Sequence, residues 1–277
     1  MTVPLVVIPT YDERDNLGPI IARVRTAVPE ASVLVVDDAS PDGTGEVADG
    51  IASRDDAVHV LHRPGKQGLG AAYLEAFDWA LAHGHDPIVQ LDADGSHLPE
   101  ELPRLLARLD RADADQAAPD LVVGSRWVDG GSVENWPVHR QVISRLGSAY
   151  AHLVLRLPAR DATAGFRVFR ADALRAIDLA DVHTRGYGFQ VDVLWHAHRA
   201  GLVVVEEPVR FVERERGASK MSLGIAVEAA ARVTWWAIRA PWTRRPPHLA
   251  RRAGDASDRE VQRVGEQPRP GGGEPAE

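Results

Sequence analysis

The sequence predicts an α/β fold with a mostly parallel central sheet and helices on both faces. Three observations carry this. Short apolar runs alternate with amphipathic stretches in the order βαβαβαβ through the first half. The runs are apolar throughout rather than alternating, as in strands buried on both faces. Polar clusters follow the strand ends, on the edge where open α/β sheets bind ligands.

In order, Pro4-Leu5-Val6-Val7-Ile8 reads as a buried strand, and Leu17, Ile20, Ile21, Val24 and Val28 recur at helical spacing. Val33-Leu34-Val35-Val36 is a second strand. The turn Ser40-Pro41-Asp42-Gly43, with Thr44 as cap, leads into a helix over about 45–53. Val58 to Leu61 is a third strand. A helix over 68–83 places Leu69, Ala72, Tyr73, Ala76, Phe77 and Ala80 on one side. Ile88 to Leu91 and Leu121 to Val123 are the fourth and fifth strands. The second half is less regular. Val142, Ile143, Leu146, Ala149, Tyr150, Leu153 and Val154 form a helical stripe, and 165–169 reads as a strand. A helix over 189–200, a strand over 202–205 and a last helix over about 223–239 follow.

The chain has 277 residues, 44% hydrophobic and 26% charged, ample for a packed core. It contains no cysteine, which excludes disulfides, thiolate metal sites and cysteine nucleophiles. The formal charge of -8 offers no basic field for nucleic acid. Val3 to Ile8 lacks a basic leader and stops at Pro9, unlike a signal peptide. No apolar run approaches the ~20 residues that span a bilayer. Beyond Pro241 the composition turns to Pro, Gly, Arg and Glu, and 246–277 reads as a disordered tail.

Asp92 and Asp94 stand two apart at the end of the fourth strand, so in extended chain they point the same way. Two hard oxygen ligands suit Mg2+ or Mn2+ bridging to a diphosphate. Asp113-Ala114-Asp115 repeats the pattern within a charged surface run and reads as solvated. Gly65-Lys66-Gln67-Gly68-Leu69-Gly70 fits neither nucleotide-loop consensus and reads as a helix entrance, with Lys66 near the ligand. Arg126 follows the fifth strand. Arg140 and Ser144 are one helical turn apart. Arg210, Arg214, Arg216 and Lys220 form either a basic loop closing over phosphate or a solvated segment paired with Glu213 and Glu215. From Ala229 to Ala253 there are six arginines and no acid, with Trp235, Trp236 and Trp242 among them. That suits an anionic membrane interface, or tryptophans packed on the main domain.

The segments Pro9 to Asn16, Val36 to Thr44, Lys66 to Gly70 and Asp92 to His97 resemble glycosyltransferase family 2. Asp161 to Arg167, Gly186 to Gln190, Phe211 to Arg214 and Ser219 to Ser222 resemble its dolichol-phosphate (polyprenol-monophosphate) mannose synthases. The resemblance covers about residues 3–240. It implies a Rossmann-like GT-A fold, GDP-mannose as donor and a polyprenyl phosphate as acceptor. Pro9, Tyr11, Glu13, Val36 and Asp38 would hold the guanosine end. Asp92, Ala93 and Asp94 would bind donor and metal, with Ser96 at a further metal position. Arg126, Arg214 and Lys220 would contact phosphates, and Arg140 and Ser144 would grip the acceptor phosphate. The catalytic set is then Asp94, Arg126, Arg140, Arg214 and Lys220.

On this reading 1–222 is the GT-A catalytic domain, 223–245 an amphipathic interfacial helix and 246–277 the tail. The protein would sit peripherally on the cytoplasmic face of a membrane, directly or through a separate anchoring protein. Two departures stand out. Many relatives carry transmembrane helices after the catalytic domain, and Trp127 stands where tyrosine is commoner. A UDP-glucose or other UDP-sugar transferase is the alternative within the class. A nucleotidyltransferase would need a glycine-rich loop after the first strand, where 9–16 has no glycine. A non-catalytic membrane-docking subunit would have no use for Asp92 and Asp94.

Overall fold

The structure, a computed structural model, describes residues 2–113, 117–177, 179–182, 188–213 and 223–239, with side chains of the last helix from 230 to 238. Element order is β1 (Leu5–Thr10), α1 (Arg14–Ala27), β2 (Ser32–Asp37), α2 (Thr44–Ala52), β3 (Val58–His62), α3 (Leu69–Ala82), β4 (Ile88–Gln90), α4 (Leu102–Leu109) and β5 (Leu121–Ser125). Then come β6 (Ser132–Glu134), α5 (Val138–Leu155), β7 (Arg167–Phe169), α6 (Ala171–Ala176), α7 (Gly188–Arg199), β8 (Val204–Pro208), β9 (Arg210–Val212) and α8 (Leu223–Arg239).

Seven strands form one sheet in the order β3-β2-β1-β4-β7-β5-β8. The expected mostly parallel sheet is borne out. β1, β2, β3 and β4 pair in parallel, as do β5 and β8. The order of strands in the sheet departs from the order in the chain between β4 and β5. β7 lies between them, antiparallel to both. The reason lies in where the chain re-enters. The Gly124 N–H donates to the Phe166 carbonyl, and Gly165 abuts Asp92. The segment before β7 therefore arrives at the carboxyl edge, so the strand runs back down the sheet. The strand expected over 202–205 is displaced to Val204–Pro208.

Helices cover both faces. Leu17, Ile20, Ile21 and Val24 of α1 pack with Val6, Ile8, Val33 and Val35, joined by Leu102 and Leu105 of α4. The opposite residues Leu5, Val7, Leu34 and Val36 pack with Tyr73, Ala76 and Phe77 of α3 and Phe189 and Val193 of α7. Each aliphatic side chain fully removed from water contributes roughly 1.5–3 kcal/mol.

Thr44 is not the cap of α2. Gly43 occupies that position at φ 90, a left-handed conformation that glycine reaches without steric cost. Thr44 opens the helix. Its hydroxyl accepts the Glu13 N–H at 3.0 Å, tying the loops after β1 and β2 together.

Candidate active site

The carboxyl ends of β1, β2, β3 and β4 bring the expected loops together. Pro9 and Val36 are register partners. The Lys66 ammonium stands 3.4 Å over the Tyr11 ring, so these two residues share a wall. The Glu13 carboxylate accepts from Asn16 Nδ2 at 2.7 Å. Asp38 is buried, bound by the Arg63 guanidinium and by the Gln67 N–H at 3.3 Å. It thus helps fix the entrance to α3.

Asp92 lies two residues beyond β4 and Asp94 in the turn that follows, so the pair is not part of the strand. The alternation expected of a strand does not place them. Local hydrogen bonds do. Tyr73 of α3 donates to Asp92 Oδ1 at 3.3 Å. Asp94 Oδ1 accepts from the Ser96 N–H at 3.0 Å and from the Ser96 hydroxyl. Burial and then the Asp92 carboxylate push the Tyr73 phenol well above its usual value, and Asp94 adds to this. The phenol therefore stays protonated and donates. His97 is buried between Phe166 and Phe211, with ring centroids 5.2 and 5.3 Å away. Its Nδ1 accepts the Asp92 N–H at 3.2 Å. Burial pulls the imidazole below the usual histidine value, despite the opposing charges of Asp92 and Asp94. Both carboxylates thus act on the same two buried rings. Among the described residues no three His, Cys, Asp or Glu side chains are grouped to hold a metal. A cavity of about 310 Å³ beside the turn is bordered by Asp15, Asn16, Arg23, Asp94 and Glu213.

A second cluster joins the first through aromatic contacts. Phe211 packs on Trp136 at 5.1 Å, and the Arg140 guanidinium lies 4.4 Å over Trp136. Arg140 Nη1 donates to both carboxylate oxygens of Glu213. Arg140 Nε and the buried Ser144 hydroxyl have no hydrogen-bond partner among the described residues. Arg126 is packed amid Trp127, Trp136 and Phe211. Its Nε and Nη2 each donate to Asp161 at 2.7 Å, and Nη2 also reaches Thr163 at 2.9 Å. Arg214 and Lys220 lie outside the described residues.

Several site residues receive no role from the sequence: Tyr73, Trp136, His97, Asp161, Arg167 and Gln190, although the last four lie in segments that carry the family resemblance. Tyr73 is indistinguishable by spacing from its core neighbours. Arg167 reads as part of a strand. It is nonetheless fully buried, donating to the Ala164, Gln190 and Ala162 carbonyls at 2.9, 2.8 and 3.0 Å. Burial lowers it to about 9, still charged at neutral pH. Asp113 of the control motif is exposed and pairs with Arg108 on the surface of the fold, away from this edge.

Outside the cleft, α5 is two-faced. Ser144, Ser148, Ala151 and Leu155 point inward, whereas Val138, Val142, Leu146, Tyr150 and Leu153 point out. Leu146 is 65% and Leu153 74% exposed. α8 packs alongside, with Tyr150 and Thr234 hydroxyls 2.7 Å apart. Trp236 stacks on Trp195 at 5.5 Å, while Trp235 and Ile238 remain exposed. No described helix is long and apolar enough to cross a membrane.

Comparison with known proteins agrees with this arrangement. The chain is 53% identical over 238 residues to the undecaprenyl-phosphate mannosyltransferase of Micrococcus luteus, covering 86% of this chain and 95% of that protein. It is 51% identical over 236 residues to the polyprenol monophosphomannose synthase of Mycolicibacterium smegmatis, covering 85% and 87%. Among solved structures, glucosyl-3-phosphoglycerate synthase from Mycobacterium tuberculosis in complex with UDP superimposes with a TM-score of 0.61 at 18% identity, over 87% of this chain and 82% of that one. The same synthase with Mn2+, UDP and glucosyl-3-phosphoglycerate gives 0.58 at 20% identity, over 86% and 78%. That likeness concerns the fold, and it bears out the GT-A arrangement. The profile of the Glycosyl transferase family 2 matches residues 5–178, and the chain belongs to that family.

Proposed function

We propose that this protein transfers mannose from a nucleotide donor to a polyprenyl phosphate, and that the donor is GDP-mannose. The likeness to two mannosyltransferases of polyprenyl phosphates, over most of both chains, supports the reaction. One geometric observation supports the acceptor. Arg140 and Ser144, one turn apart on α5, keep a buried Nε and a buried hydroxyl without partners, contiguous through Trp136 and Phe211 with the Asp92–Asp94 turn. An arriving phosphate would replace the Glu213 carboxylate on Arg140 and take the Ser144 hydroxyl.

A lipid phosphate is its own nucleophile. With a second pKa of ~6 it is largely dianionic at neutral pH, so no side chain has to remove a proton. The protein's task is to bring two anions together. Arg140, with Arg214 and Lys220, would offset the acceptor's charge. Arg126, bound to Asp161, would position this region rather than meet phosphate directly. Asp92, Asp94 and Ser96 would hold the divalent cation. Their oxygens suit Mg2+ or Mn2+, and two carboxylates leave coordination positions for diphosphate and water. Bound there, the ion would neutralise the leaving diphosphate. Pro9, Tyr11, Glu13, Val36 and Asp38 would form the nucleoside end, with Lys66 beside Tyr11.

Residues 1–222 would then be the catalytic domain and 223–245 the interfacial segment. The exposed apolar face of α5 and α8 would rest on the cytoplasmic face of the membrane that holds the acceptor, alone or with an anchoring protein. Tail residues 246–277 lie outside the described residues. Purified protein incubated with GDP-mannose, Mg2+ and a polyprenyl phosphate is expected to yield a mannosyl lipid. Binding of GDP-mannose without lipid product would overturn the acceptor. Calorimetric preference for UDP-glucose would overturn the donor.

A further inference from the structure

We propose that Gln190 determines donor-sugar specificity, its side-chain amide hydrogen-bonding a hydroxyl of the transferred pyranose. This rests on the sugar-transfer reading above. Gln190 lies in the first turn of α7 and is 3% exposed, yet neither amide atom has a hydrogen-bond partner among the described residues. Buried side-chain amides are ordinarily paired, because an unmade hydrogen bond in the interior is costly.

The amide faces the site. At the point where a side chain on Gly165 would begin, Gln190 Nε2 is 3.5 Å away, Asp92 Oδ2 3.6 Å and the His97 ring 3.3 Å. Tyr73 occupies the other oxygen of Asp92. Asp92 Oδ2, which also lies 3.8 Å from His97 Nδ1, and the Gln190 amide therefore border one small space. That space exists because residue 165 has no side chain.

Both walls are held rigid. Arg167 donates to the Gln190 carbonyl on one side and to the Ala162 and Ala164 carbonyls on the other. Phe189 stacks on Tyr73 with centroids 5.8 Å apart and rings 3° from parallel. The chemistry selects the ligand group. An amide offers one acceptor oxygen and a donor nitrogen, matching a hydroxyl, which both gives and takes a hydrogen bond. A phosphate oxygen would meet repulsion from Asp92. A single hydroxyl of a pyranose beside its diphosphate suits the amide's paired donor and acceptor.

The test compares a sugar nucleotide with its bare nucleotide. Gln190→Met keeps the shape and removes the amide. Calorimetry in Mn2+ is expected to show GDP-mannose weakened about tenfold, equivalent to about 1.4 kcal/mol, with GDP affinity unchanged. The melting temperature should hold or rise, because a buried unpaired amide is gone. Gly165→Ala, which fills the space from the opposite wall, should reproduce the split. Equal weakening of GDP-mannose and GDP in both variants, or no change in either, would overturn the proposal. If the wild type takes UDP-glucose instead, the same comparison against UDP tests Gln190, and only the GDP reading has failed. A wild type binding neither sugar nucleotide overturns both.

Discussion

Arg126 reaches the carboxyl edge of the sheet, as its place after β5 requires, but its guanidinium is committed to Asp161. Asp161 is fully buried, so truncating its partner strands a charge in the interior. Arg126→Ala should lower stability by about 3–5 kcal/mol in denaturant unfolding, the scale for breaking a buried pair from one side. Asp94 differs, being half-buried beside the cleft with a local partner in Ser96. Asp94→Asn should fold with a near-native circular dichroism spectrum and cut mannosyl transfer by roughly 100-fold or more, as loss of a metal-bound carboxylate implies. Near-normal turnover in Mg2+ buffer would refute the metal assignment. Arg140→Ala should raise the acceptor KM by about tenfold or more while leaving donor affinity intact, the effect of removing one charge-assisted contact. Unchanged acceptor kinetics would remove Arg140 from that role.

α5 shows what a single helix conveys and withholds. Its periodicity is plain in the sequence, yet the stripe Val142, Leu146, Tyr150 and Leu153 invites the reading of a core face. The structure turns that stripe outward and buries the serines. The reason is that Ser148 reaches Thr163 at 3.1 Å, within the polar network around Asp161. If the outer face meets lipid, Leu146→Glu with Leu153→Glu should reduce sedimentation with anionic vesicles several-fold, leaving transfer to a short water-soluble acceptor unaffected. Equal vesicle binding by the double variant would discard the interfacial role of α5. In α8, Trp236 packs on Trp195, as the packing reading of the tryptophans expects, while Trp235 is exposed.

Across the whole molecule, the site and the opposite end of the sheet respond to different chemistry. His85 precedes β4, with His59 and His83 clustered about Trp79. Burial, with His59 and His83 adding to it, lowers the His85 imidazole against the pull of the Val3 carbonyl. The unfolded chain then takes up the proton first, so stability present at neutral pH is lost as pH falls through the usual histidine value of about 6.5 toward the folded one. The fall in melting temperature between pH 7.5 and 5.5 should be smaller in His85→Gln than in the wild type. An identical fall in both would place the acid-sensitive group elsewhere.

The sequence by itself determined the alternation of buried strands and amphipathic helices, the loops at one sheet edge and the pairing of Asp92 with Asp94. These are local patterns, legible because periodicity and turn chemistry act over a few residues. Only the tertiary structure decided that β7 separates β4 from β5, that Asp38 and Arg126 are held by Arg63 and Asp161, and that Gln190 and Asp92 both lie against Gly165. Those contacts join residues far apart in the chain. Burial then sets the protonation of each polar group and the partners left to it, and no stretch of sequence specifies burial alone.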